Sequence, residues 1–140
     1  MFNKLIFFSI FLILHNLFAQ ELTGKDLLEK TINFHDPKNN WTDFQDSFTV
    51  KMITPDEKIR ESLIEIDLYN ELFSMSVTKD HNKTFTVIDK SECKIIFNGS
   101  ESFSKEDEKK HRLTCKNAFK MRDYYTYLYG LPMKLKDPGT

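Results

Sequence analysis

Four groups of side chains in this chain are of types that do chemistry. His35-Asp36 sets an imidazole beside a carboxylate, the material of an acid–base pair. His111 and Cys115 stand one helical turn apart, which puts both on one face and suits a thiolate–imidazole pair. Cys93 and Cys115 form either a disulfide or two buried thiols, and a bridge would remove the nucleophile. Tyr124, Tyr125, Tyr127 and Tyr129 gather phenols in one stretch.

Chemistry needs more than these groups supply. His35-Asp36 reads as the end of a helix and a solvent-facing turn. His111 and Cys115 have no orienting or oxyanion group that can be named beside them. Two Cys and scattered His make no zinc pattern, and there is no Gly-rich phosphate loop, nucleophile elbow or metal-helix motif. No catalytic residue, metal or cofactor is therefore expected. The tyrosines carry more weight, because a ring with a polar tip suits a site that is apolar at one end and wet at the other. The same rings at helical spacing also pack cores. With the apolar residues of the strands below they make a candidate ligand-binding set: Tyr124, Tyr125, Tyr129, Phe73, Met75 and Phe85.

The elements that must position these groups begin after a leader. "MFNKLIFFSIFLILHNLFAQ" has Lys4 as its only charge, an apolar run from Leu5 to Leu14, and small Ala19 before Gln20. That is the pattern of a secretory signal peptide over residues 1–19. The run is broken by His15 and Asn16, short of the roughly 20 apolar residues of a membrane span. An exported product, periplasmic or extracellular, with no transmembrane anchor after cleavage is expected. The signal takes one Lys and no acid with it, so residues 20–140 are slightly acidic. They hold no basic excess for phosphates, which argues against nucleic acid. Their length fits one domain with a small core.

Thr23 with Asp26 three residues on predicts a helix start, and Leu27, Leu28, Thr31 and Ile32 recur at helical spacing until Asp36-Pro37. The period then changes. Phe44, Phe48, Val50 and Met52 alternate with polar residues, as do Ile64, Ile66 and Leu68, then Phe73, Met75 and Val77. Phe85 with Val87, and Cys93 with Ile95 and Phe97, continue the alternation, and polar turns separate the runs, one of them read as Asp80-His81-Asn82. All these apolar residues are expected on one face, with the other face in water. Asn40-Trp41-Thr42, Asn82-Lys83-Thr84 and Asn98-Gly99-Ser100 match the N-glycosylation pattern and also read as turns. Ser104 predicts a cap, with acids in the first turn, for one helix reaching Tyr127 or Tyr129 and stopping at Gly130. The expected fold is α+β: a curved antiparallel β-meander of about five strands with an N-terminal and a C-terminal helix on one face, an incomplete half-barrel. The turn Asp137-Pro138-Gly139 normally leads into another element, so the domain over residues 20–140 is expected to be truncated at its C-terminal end.

"LTGKDLLEKTINFHDPKNNW", "KKHRLTC" and "YYTYLYGLPMKLKDPGT" resemble an uncharacterised family of exported Bacteroidota proteins. That family in turn is similar in architecture to periplasmic lipoprotein carriers. The resemblance implies a half-barrel whose later strands follow this N-terminal segment, and it transfers no reaction and no catalytic residue. The function expected is non-catalytic binding of a lipid or other apolar ligand on the sheet face. An envelope protein docking on a sheet edge or apolar patch is the alternative, and an enzyme with catalytic groups in a C-terminal continuation is the remotest reading.

Overall fold

Helix α1, Gly24–His35, starts where Thr23 Oγ1 accepts from the Asp26 backbone N–H at 3.1 Å while Asp26 Oδ2 accepts from the Thr23 N–H at 3.2 Å. This reciprocal capping box satisfies two orphan groups at the helix start. The computed structural model describes residues 22–138, and the signal-peptide reading over residues 1–19 lies outside them. Asp36 ends α1, and its carboxylate accepts from the backbone N–H groups of Asn40 at 2.7 Å and Trp41 at 2.9 Å. That bonding fixes the loop into a single 3₁₀ turn, Trp41–Asp43.

Five strands follow: β1 Gln45–Ile53, β2 Ile59–Asp67, β3 Leu72–Lys79, β4 Asn82–Asp89 and β5 Glu92–Phe97. They lie in chain order in one antiparallel sheet, open at β1 and β5. The expected α+β meander is therefore present. Two helices complete the main elements of the described residues, α2 Lys105–His111 and α3 Cys115–Tyr129. A single C-terminal helix was expected; the structure breaks it at Arg112, which takes the left-handed conformation at φ 57°. Thr114 then caps α3 by accepting from the Asn117 N–H at 3.2 Å. Breaking the helix lets Leu113 turn inward to 4% exposure. Gly130 ends α3, but not through a positive φ. Its role is close approach: a Cβ there would collide with the Trp41 ring and the Lys134 stem.

Cross-strand register orders the helix-bearing face into four rows. Cys93–Ile88–Phe73–Ile66–Asp46 is the first, and Ile95–Thr86–Met75–Ile64–Phe48 the second. Phe97–Thr84–Val77–Ser62–Val50 is the third, and Asn82–Lys79–Arg60–Met52 the last. From β2 to β5 the rows pass from apolar to charged along the strands. Ile64, Ile66, Phe73, Met75 and Ile88 form the core with Ala118 and Tyr125 of α3.

One strand departs from expectation. Phe85 and Val87 pair with Ser76 and Ser74 on the opposite face, and Thr84, Thr86 and Ile88 face the helices. The cause is the turn: Lys79 pairs with Asn82, leaving only Asp80 and His81 as the loop. Both have positive φ, 48° and 66°, as a type I′ hairpin requires. A turn one residue shorter than expected flips every side chain of β4.

Asp67 closes the β2–β3 connection. Its carboxylate accepts from the Asn70 N–H at 2.9 Å, from Asn70 Nδ2 at 2.7 Å and from Gln45 Nε2 at 3.0 Å. The Asn70 side-chain amide, with the Asn70 N–H next, holds the carboxyl below its ordinary pKa against an opposing effect of burial.

Two outcomes follow from this packing. Ile88→Ala is expected to cost about 2–4 kcal/mol in urea unfolding, and Phe85→Thr less than about 1 kcal/mol, the order set by the β4 register. Because the Asp67 pKa is depressed on folding, its stabilisation is present at neutral pH and lost as pH falls through the folded value, below about pH 4. Thermal melts across this range should show a shallower acid decline in Asp67→Asn than in the parent chain.

Candidate functional site

Helix α3 spans the sheet from edge to edge. At its start Cys115 is joined by a disulfide to Cys93 on β5, with 5.9 Å between Cα atoms. At its end the Tyr129 ring lies over Phe48 on β1, centroids 3.8 Å apart, and Tyr125 meets the same Phe48 edge-on at 6.2 Å. Fifteen helical residues reach about 22 Å, close to the roughly 19 Å that five strands occupy. A helix only about 10 Å wide laid across strands some 27 Å long covers the apolar rows and leaves the strand ends bare.

A cleft of about 580 Å³ fills the uncovered end. Its floor is Met75, Val77, Thr84, Thr86 and Ile95 of the second and third rows. Its wall is the α2–α3 corner, with Leu113, Asn117, Ala118 and Met121, and with His111 stacked on Phe97 at 4.7 Å. Its far rim is Arg60, Lys79 and Asn82 of the last row. Among the described residues Arg60 Nε is buried with no hydrogen-bond partner, and so is the hydroxyl of Ser62 in the adjoining row. The guanidinium stands beside the hydroxyl of Tyr125; burial pushes the Tyr125 pKa up, and the Arg60 charge pulls against it. On the other flank of α3 a second cleft of about 500 Å³ is lined by Ile66, Leu72, Phe73, Tyr127 and, among others, Lys90 and Asp123.

The expected site residues are dispersed by this geometry. Tyr125 and Phe73 are core residues at 4% and 1% exposure, and Tyr129 packs on Phe48. Tyr124 is exposed and touches Tyr125 edge-on at 5.2 Å. Met75 lines the first cleft and Phe73 the second, while Phe85 lies on the opposite face of the sheet. His35 is exposed against Phe34, and Asp36 is engaged by the loop it caps. The residues missed were Arg60, Lys79, Thr84 and Met121. A signal for the first was in the strand itself: Arg60 and Ser62 occupy the same phase as Ile64 and Ile66, where a simple core strand would be apolar. Among the described residues no group of His, Cys, Asp and Glu could hold a metal ion. No helix among them is long and apolar enough to cross a membrane.

The disulfide closes a loop across 22 residues and holds the α2–α3 corner over β5. Loop-closure entropy for that length gives about 3 kcal/mol. A Cys93→Ala/Cys115→Ala double variant should lose stability of that order in denaturant unfolding, and a thiol-reactive maleimide should label the native parent chain only after reduction.

No curated protein and no solved structure matches this chain. A model described as a family of unknown function (DUF6503) matches residues 4–140, nearly the whole chain. The protein therefore belongs to that family of unknown function.

Proposed function

We propose that this is an exported, non-catalytic protein that holds a lipid or another apolar ligand between its sheet and the α2–α3 corner, as a periplasmic lipoprotein carrier would. The observation that supports this reading is the cleft itself. Its volume of about 580 Å³ falls inside the 300–1,000 Å³ typical of ligand sites. Its floor carries Met75, Val77 and Ile95, with two threonine hydroxyls between them. Met75, Ala118 and Met121 join it to the core, so an apolar chain entering it would extend the core packing.

The alternative, docking of an envelope protein, draws on the opposite face. There Leu63, Ser76, Phe85 and Ile96 form a row that crosses four strands, with Leu63 43% exposed. Apolar surface of this kind suits an interface. The cleft is favoured because it is a bounded volume with polar groups converging at one end.

A neutral apolar dye, N-phenyl-1-naphthylamine, distinguishes the two. Binding to the protein should raise its fluorescence, and Thr84→Trp, which fills the cleft floor, should weaken that binding by at least about tenfold. Leu63→Ser, on the opposite face, should leave it unchanged. Absence of dye binding, or binding insensitive to Thr84→Trp, would overturn the cleft reading. Loss of a stable protein complex in Leu63→Ser would favour the alternative.

A further inference from the structure

The cleft is not uniformly apolar, and its polar end carries an excess of positive charge. Its lining holds five Lys or Arg residues against one acid, Asp56. That acid is already engaged by Lys58 at 2.6 Å. Among the described residues no carboxylate pairs with Arg60, Lys79, Lys110 or Arg112. The second cleft is different: Lys90, Arg122 and Lys134 there are matched by Asp67, Glu71 and Asp123. The excess of positive charge thus belongs to one site of a chain that is slightly acidic as a whole.

Arg60 is the centre of this arrangement. The alternation of β2 turns it toward the helices, in line with Ser62 and Ile64, and it is half-buried. A guanidinium removed from water needs an anion or several acceptors to offset the lost hydration. Among the described residues its Nε has no hydrogen-bond partner, and the Tyr125 hydroxyl beside the guanidinium is a neutral group. Lys79 is its cross-strand partner in the same row. Two cations directly opposite repel unless an anion lies between or beside them. From this row the floor runs through Val77 and Thr84 to Met75, Thr86 and Ile95, so polarity falls continuously along the strands.

We propose that the ligand is an acidic amphiphile, with a carboxylate or phosphate head held by Arg60 and Lys79 and an apolar chain lying over Val77, Met75 and Ile95. This rests on the binding reading of the preceding subsection and assigns the chemical class of its ligand. Arginine reads either head in a two-pronged manner, and Lys79, with Lys110 and Arg112 in the lining, adds charge without imposing direction.

Displacement of N-phenyl-1-naphthylamine by decanoate, decyl phosphate and decanol tests the proposal on the intact protein, because the three share a chain and differ in the head. At least one of the two acids should displace the dye at about tenfold lower concentration than decanol. Whichever acid is stronger identifies the head as carboxylate or phosphate. Inorganic phosphate alone should displace nothing. In Arg60→Gln the acid preference should collapse to near parity while decanol is unaffected. Lys79→Gln, at an exposed side chain, should reduce the preference in part, and supplies the test should Arg60→Gln fail to fold. Equal potency of decanol and both acids on the parent protein would overturn this inference and leave the apolar site standing. Unchanged preference in both variants would overturn the assignment to Arg60 and Lys79. Failure of the dye to bind at all would remove the cleft reading and this proposal with it.

Discussion

Ala118 and Tyr125 of α3 lie buried against Ile64, Ile66, Phe73 and Ile88, and this contact sets the form of the whole molecule. Antiparallel strands with one apolar face need a second layer, and this sheet receives one helix laid across its width. The helix is pinned at both ends, by a covalent bond to β5 and by a stacked ring on β1. Its direction across the strands determines which rows are dry. The two rows beneath it are almost wholly apolar. The rows beyond it carry Ser62, Thr84, Arg60 and Lys79, side chains that a sealed core would exclude.

That gradient links packing to the proposed site. A core that ended at a clean polar boundary would leave a solvated sheet end and nothing more. Here the corner between α2 and α3 folds back over the polar rows and encloses a volume. Arg112 makes the corner by adopting a left-handed conformation, and Leu113 anchors it by burial. Cys115, two residues on, fixes the corner to the sheet edge. The short stretch from His111 to Cys115, which invites a catalytic reading, thus forms the corner of the cleft wall: the imidazole lies on Phe97 and the sulfur is spent in a bridge.

The order and type of the elements were legible in the sequence because they depend on local physics. Caps at Thr23 and Ser104, the stop at Asp36-Pro37 and the period-two runs of β1, β2, β3 and β5 all appear where expected. The face that β4 presents is not legible, because "TFTVI" is apolar in both phases: Phe85 and Val87 alternate one way, and Ile88 stands in the other. Only the turn length separates the two registers. The Asp80-His81 turn carries no glycine to announce its positive φ values, so its length was not visible. The break in the C-terminal helix was hidden in the same way, since an arginine rather than a glycine takes the left-handed position.

The candidate site was legible only in fragments. The tyrosines draw attention by their number, yet Tyr125 serves the core, Tyr129 packs at its margin on Phe48, and the residues that line the cleft are scattered from Met52 to Met121. By itself the sequence determined a meander of five strands, helices at both ends of it, and an apolar face in need of cover. Those features follow from periodicity and capping, which act within a few residues. The tertiary structure alone decided which face β4 presents, that the two cysteines meet, and that Arg60 and Lys79 stand together without an acid. Each of these is a relation between segments far apart in the chain, fixed by hairpin register and by the line α3 takes across the strands.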